Sequence, residues 1–171
     1  MRAVEGGALP EIRPIEEADH DRVLEINETN VPEVGPLDLD RLRFLVGESL
    51  IALAVLVEEQ VAGFCLVLAP GSDYDSVNYG WFMARDDRAL YLDRVAFDAA
   101  FQGRGLGSAL YDDVDRRIRR DHPEATALTL EVNVDPPNEP SLRFHRKLGF
   151  VEVGRQMSKG IEVSLMSRPS I

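Results

Sequence analysis

"VAFDAAFQGRGLGSAL", residues 95–110, is the stretch on which the reading of this chain turns. An apolar run closes at Phe97, three glycines fall within Gln102–Gly107, and an amphipathic run follows. Behind the glycines, Leu106, Leu110, Val114 and Ile118 recur on one helical side, with Ala109 beside them. Ahead of them, "ALYLDRVAF" (residues 89–97) reads as a strand. The order is strand, turn, helix. That order gives the turn a chemical meaning, because the first turn of a helix carries free N–H groups and a partial positive charge. Glycines let the phosphates of a ligand reach those groups with no side chain between. Arg104, set between two of them, adds a cation suited to a charge-assisted bond. A tight turn that serves only packing is the alternative these residues leave open.

Working outward, "EIRPI" reads as a first strand, and Ala18 to Asn27 as a helix with Val23, Leu24 and Ile26 apolar. After a loop rich in turn residues, Asp38 is placed to cap a second helix reaching about Ser49. "LIALAVLVEE" and "VAGFCLVLA", split by Glu58-Glu59-Gln60, predict a hairpin. "PGSDYDSVNYGWFMARDD", residues 70–87, reads as a long loop, a place where function concentrates. "TALTLEVNV" alternates, with Leu128, Leu130 and Val132 on one face and Thr129, Glu131 and Asn133 on the other. "PPNEPSLRFHRKLGF" predicts a short helix capped by Asn138 and stopped at Gly149. "FVEVGRQ" and "IEVSLMSR" complete the strands. The order β-α-α-β-β-β-α-β-α-β-β predicts an α/β fold, a mixed α+β sheet with helices on both faces.

The chain has 171 residues, enough to bury about two-thirds of its extended surface, so a single domain over 1–171 is expected, with residues 1–10 as a disordered tail. No metal and no disulfide is called for. The sole cysteine, Cys65, lies in an apolar run and reads as a buried small hydrophobe. Acids outnumber bases 30 to 19, for a net charge of −11, which argues against a nucleic-acid partner. The arginines at 116, 117, 119 and 120 follow aspartates at 112, 113 and 115, the pattern of a solvated helix face. No apolar run approaches the roughly 20 residues that span a bilayer, and residues 1–14 have no signal-peptide core. A cytoplasmic protein without a membrane partner is the expectation.

Two phosphate-binding patterns fit poorly. No Gly-Lys-Ser/Thr is present, and the third glycine comes one residue too early for a dinucleotide fingerprint. Residues 95–110 instead resemble the acyl-CoA-binding motif of the GCN5-related N-acetyltransferases, Q/R-x-x-G-x-G/A, with Gln102, Gly105 and Gly107 in its fixed positions. "NEPSLRFHRKLGF" resembles that family's second motif through Asn138, Ser141, Phe144, His145, Gly149 and Phe150. The element order is also similar, so the resemblance spans nearly the whole chain. "EVNVDPPNEPSLRFHRKLGF" points to a bacterial-type branch.

The resemblance implies an acetyl-CoA-dependent transferase acting on a primary amine, either a small molecule or a peptide. By it, Val95, Ala96 and Phe97 pair through their backbone with the pantetheine arm. The N–H groups of Gly103, Arg104, Gly105, Leu106, Gly107 and Ser108 cradle the pyrophosphate, and Asn133 and Asn138 meet the cofactor where two strands splay. His145 stands where the family often has a tyrosine, and would protonate the leaving thiolate. Asp93 falls where relatives carry an acid near the amine; it either accepts a proton or pairs with Arg94 or Arg88. Tyr74, Tyr79 and Trp81 of the long loop are expected to line the acceptor pocket, or equally to cover a sheet face or a homodimer interface. A non-catalytic acyl-CoA-binding module, and a domain in which the glycines only pack, remain the competing readings.

Overall fold

A computed structural model describes residues 8–170; the first seven residues of the expected tail lie outside the described residues. Strand β1 (Glu11–Pro14) leads into helices α1 (His20–Thr29) and α2 (Leu39–Glu48). Asp38 caps α2 as its sequence position suggests, accepting the Arg41 N–H at 2.8 Å. Strands β2 (Ser49–Val57) and β3 (Gln60–Leu68) form the expected hairpin, turned by Glu58 and Glu59 at positive φ. Helix α3 (Val77–Met83) precedes strand β4 (Leu90–Phe97) and helix α4 (Leu106–Asp121). Strand β5 (Ala127–Asp135), helix α5 (Glu139–Lys147) and strands β6 (Val151–Ser158) and β7 (Ile161–Pro169) finish the chain.

The order is the expected one with α3 added inside what read as a loop. Ser76 caps α3 by accepting the Tyr79 N–H. Seven residues with Gly80 at their centre are too short for helical periodicity to register in sequence.

The strands make one mixed sheet in the order β1-β2-β3-β4-β5-β7-β6. On one face, Leu110, Val114 and Ile118 of α4 and Leu142 of α5 bury against Cys65, Val67, Leu92 and Leu130. On the other, Val23 and Ile26 of α1, Leu42 and Leu45 of α2 and Phe82 of α3 bury against Phe64, Leu66, Tyr91 and Leu165. Each such side chain contributes roughly 1.5–3 kcal/mol. Cys65 is fully buried and its thiol is pushed up to about 12 by that burial, as befits an inert core residue. Asp113 accepts from Arg116 and Arg117, and Asp121 from Arg120, so three of those arginines pair within their own helix.

The sheet has a seam at its centre. Strands β4 and β5 run parallel and pair at Leu90↔Leu128 and Tyr91↔Thr129, with no further pair among the described residues. Beyond Tyr91 they part, and the gap opens a cleft between the two helical layers.

Candidate active site

The cleft has a volume of about 1190 Å³, and its two ends are built differently. At one end stands the N-terminus of α4. Its N-cap is Gly105, in the left-handed region at φ +73°, and no side chain among the described residues caps it. The first helical bond runs from the Ala109 N–H to the Gly105 carbonyl at 3.1 Å, so the N–H groups of Leu106, Gly107 and Ser108 have no helical acceptor. Gly103 is also left-handed, at φ +76°, and a Cβ at either glycine would meet open space. Gly107 serves packing instead. A Cβ there would lie 3.0 Å from the Phe144 ring, so its bareness lets α4 approach α5.

Val95, Ala96, Phe97, Gln102, Gly103, Gly105, Leu106, Gly107 and Ser108 all line this end, joined from across the gap by Asn133, Asn138, Ser141 and Phe144. Arg104 does not join them: its guanidinium lies over the Phe101 ring, with a long contact to the Ala100 carbonyl. The Phe97 carbonyl accepts from the Asn30 amide at 3.1 Å. The Asn138 side chain accepts the Ser141 N–H and so caps α5. Orphan amides, left-handed glycines and an apolar flank suit a long anionic carrier such as acetyl-CoA.

The other end gathers acids and tyrosines. Asp93 accepts from the Tyr74 hydroxyl at 2.5 Å and from the Arg94 guanidinium at 2.9 Å. Of the two partners expected for it, Arg94 is the one engaged. Glu131, facing the cleft from β5, accepts from the Tyr91 hydroxyl at 2.5 Å. Burial pushes the Glu131 carboxyl up to about 8; the charge of Asp93 adds to the rise, and hydrogen bonds from Tyr91 and Asn78 oppose it. Sequence reading missed Glu131. The one available signal was its place on the polar face of an alternating strand beside the seam, where a glutamate otherwise reads as solvent-facing.

Tyr79 and Trp81 follow the second of the two readings left open for them, cover of a sheet face, and His145 is held differently from an exposed acid. Tyr79 does not line the cleft; its buried hydroxyl closes a turn, accepting the Ser72 N–H and donating to the Ala69 carbonyl. Trp81 also lies outside the lining, stacked under Arg85 at 3.6 Å and set against Gly154, where a Cβ would come within 2.6 Å of the indole. It docks α3 onto β6. Tyr74 does line the cleft. His145 lines it as well, yet both ring nitrogens are engaged. Nδ1 sits 2.8 Å from the Ser141 carbonyl, which requires it to carry the proton, and Nε2 then accepts from the Tyr111 hydroxyl at 2.6 Å. Burial holds the imidazole below its ordinary value, helped by the charge of Arg168 and opposed by the Ser141 bond. Burial thus favours the neutral ring, with its one proton on Nδ1 directed at the Ser141 carbonyl.

The model of the family described as Acetyltransferase (GNAT) family matches residues 15–150. Solved structures share the fold. Ard1 from Thermoplasma volcanium is 23% identical, with 95% of this chain and 98% of that one covered, at a TM-score of 0.76. NAA60 from Arabidopsis thaliana, in complex with acetyl-CoA, is 18% identical over 94% and 99%, at 0.72. YncA from Salmonella typhimurium, with its cofactor acetyl-CoA, is 19% identical over 96% and 95%, at 0.70. No curated protein matches the sequence at a significant level. Among the described residues, no helix is long and apolar enough to cross a membrane.

Proposed function

Because this chain belongs to the GNAT acetyltransferase family, we propose that it moves an acetyl group from acetyl-CoA onto a primary amine, with Glu131 as the base. The observation that carries this is one cleft holding both an uncapped, glycine-bared helix N-terminus and the carboxyl of Glu131, bonded to the Tyr91 hydroxyl.

Acetyl-CoA would supply, when bound, a thioester-activated acetyl carbon: a C–N bond would form there as the C–S bond breaks, and the departing thiolate would take up, directly or through water, the second proton that the nitrogen sheds. The N–H groups of Gly103–Ser108 hold the pyrophosphate against the positive end of α4. The open edge of β4 takes the pantetheine arm. With the Phe97 carbonyl occupied by Asn30 and the Ala96 carbonyl turned towards Gly63 of β3, Val95 carries that pairing. N–H groups of the same edge face the carbonyl oxygen as it gains charge. Asn133, on the β5 side of the gap, bounds the arm.

Glu131 accepts a proton from the acceptor's ammonium, directly or through one water, and so frees the nitrogen lone pair. A base titrating near the working pH is the most effective kind. Tyr91 holds its carboxyl at the cleft. His145, neutral and doubly bonded, positions Ser141 and Tyr111 rather than delivering a proton. The acceptor enters past Tyr74 as a small amine or a peptide terminus.

Thiol release from acetyl-CoA tests this, with spermidine, tyramine, L-lysine and a tetra-alanine peptide as acceptors. Release with at least one, with acetylated product seen by mass spectrometry, is expected. Tight CoA binding with no release from any of the four overturns the transferase reading in favour of a binding module.

A further inference from the structure

Asp93 sits just past the point where β4 loses its partner β5. Opposite it, the β3–β4 register slips: Leu66 faces Arg94 and Val67 faces Leu92, so Asp93 is the extra residue of a β-bulge. A bulge re-aims side chains, and here it lets two consecutive residues join one network. The Asp93 side chain is 5% exposed, and each of its oxygens has a donor. Oδ1 takes the Tyr74 hydroxyl, from the segment between β3 and α3. Oδ2 takes the Arg94 Nε. Arg94, itself 9% exposed, donates from Nη1 to the Asn27 side chain and to the Gly35 carbonyl, both at 3.0 Å. The Asn27 amide donates to that same carbonyl, also at 3.0 Å. One unbroken chain of bonds thus runs from Tyr74 through Asp93 and Arg94 to Gly35, in the loop between α1 and α2. Tyr74, Asp93, Arg94 and Gly35 all line the acceptor end of the cleft.

We infer that Asp93 is a positioning residue: it fastens the two loops on either side of the acceptor entrance into a single wall. Its meaning for acceptor choice rests on the acetyl-transfer reading; the fastening itself does not. The chemistry argues against Asp93 as the base. Capturing a proton would leave the buried guanidinium of Arg94 facing a neutral acid, among the costliest arrangements a protein interior can hold. Each oxygen of Asp93 already takes a donor from this network, Oδ1 from Tyr74 and Oδ2 from Arg94.

Hydrogen exchange followed by mass spectrometry tests the fastening without any acceptor. Asp93→Asn offers an N–H to one of two donors, so it should speed amide exchange by at least about tenfold in both segments, 33–37 and 72–76. Tyr74→Phe keeps the ring and removes one bond, so it folds even where Asp93→Asn does not. It should speed exchange at 72–76 and, through the relay, by about threefold at 33–37. Unchanged exchange at 33–37 in Tyr74→Phe overturns the inference.

Kinetics with the most efficient of the four amines tests the functional meaning. Asn27→Ala acts at the far end of the relay, outside the cleft lining. Combined with Tyr74→Phe, it should raise the acceptor KM by a factor that departs at least about threefold from the product of the single effects. Additive effects overturn the coupling. Asp93→Asn should keep an acidic limb in its pH–rate profile, moved downward because the Asp93 charge helps hold the Glu131 proton. Loss of that limb together with kcat would make Asp93 the base. Absence of turnover with every amine would sink the transferase reading and leave the exchange result standing.

Discussion

The two ends of the cleft differ in what they are made of. The glycine end is backbone: amides of consecutive residues, exposed because Gly103 and Gly105 take left-handed conformations that other residues adopt at a cost. The acceptor end is built of side chains from the segment before α3, from β4 and from β5, tied to the Gly35 carbonyl of the α1–α2 loop. A backbone site tolerates changes in neighbouring side chains and fails when the chain path fails. A side-chain site keeps its chain path and fails atom by atom. Substitutions that separate these two modes of failure test the contrast.

The largest effect is expected at Glu131. Glu131→Gln keeps the size and removes the base, so kcat should fall by about 10²–10⁴-fold with little change in CoA affinity. The wild-type rate should climb as pH rises through about 8, and the variant should lose that limb. The same carboxyl marks stability with the opposite slope. Its folded value of about 8 lies above the ordinary 4.5, so between those values the folded state binds the proton more strongly. Stability is then full below about 4.5 and declines as pH rises towards about 8. Glu131→Gln should remove that decline, so its Tm advantage over wild type should be greater near about pH 9 than near about pH 5. An unchanged rate profile, or an advantage that shrinks with pH, would take the base away from Glu131.

Next comes the backbone end. Gly105→Val meets no steric neighbour within 4 Å, so its cost comes from placing a β-branched residue at φ +73° and a side chain over the orphan amides. CoA affinity should weaken by at least about tenfold, read by calorimetry. Gly107→Ala should behave differently. Its Cβ would press on Phe144 at 3.0 Å, which costs stability through α4–α5 packing before it costs CoA binding. Equal effects of the two on binding would show that the turn acts as a single packing unit.

This contrast also explains what the sequence disclosed. A backbone site is written in consecutive residues: the glycines, the strand before them and the helix after them all fall within residues 89–121, so both chain path and chemistry are legible there. A side-chain site is written across the chain. The Tyr74–Asp93–Arg94–Gly35 relay joins residues as much as 59 positions apart, and the bulge at Asp93 arises from register, which periodicity does not report. Glu131 is the sharpest case. Alternation placed it on the polar face of β5, correct for direction, but that face looks into a seam that exists because β4 and β5 pair at two positions and then part. The aromatics erred the other way. Composition grouped Tyr74, Tyr79 and Trp81, whereas the cap at Ser76 folds their segment into α3 and turns Tyr79 and Trp81 away from the cleft.

The smallest effect on rate is expected where family resemblance promised a large one. His145 is 3% exposed, donates from Nδ1 to the Ser141 carbonyl and accepts at Nε2 from Tyr111. Burial disfavours its imidazolium, so near pH 7 the remaining ring proton is one that imidazole does not surrender. His145→Ala should therefore lower kcat by less than about tenfold and leave any alkaline limb in place, below the 10²–10⁴ typical of a positioned acid. Its cost should appear in stability. The buried Tyr111 hydroxyl loses its partner, worth about 1–3 kcal/mol, and the absent ring leaves a cavity beside Phe144 and Phe150. At about 2–4 °C per kcal/mol for a chain of this size, Tm should drop by several degrees. Glu131→Gln and His145→Ala then form opposite pairs: rate lost with the fold kept, and fold weakened with the rate kept. A hundredfold loss of kcat in His145→Ala, together with a vanished alkaline limb, would mean that the ring leaves Tyr111 and takes up a proton once both substrates are in the cleft.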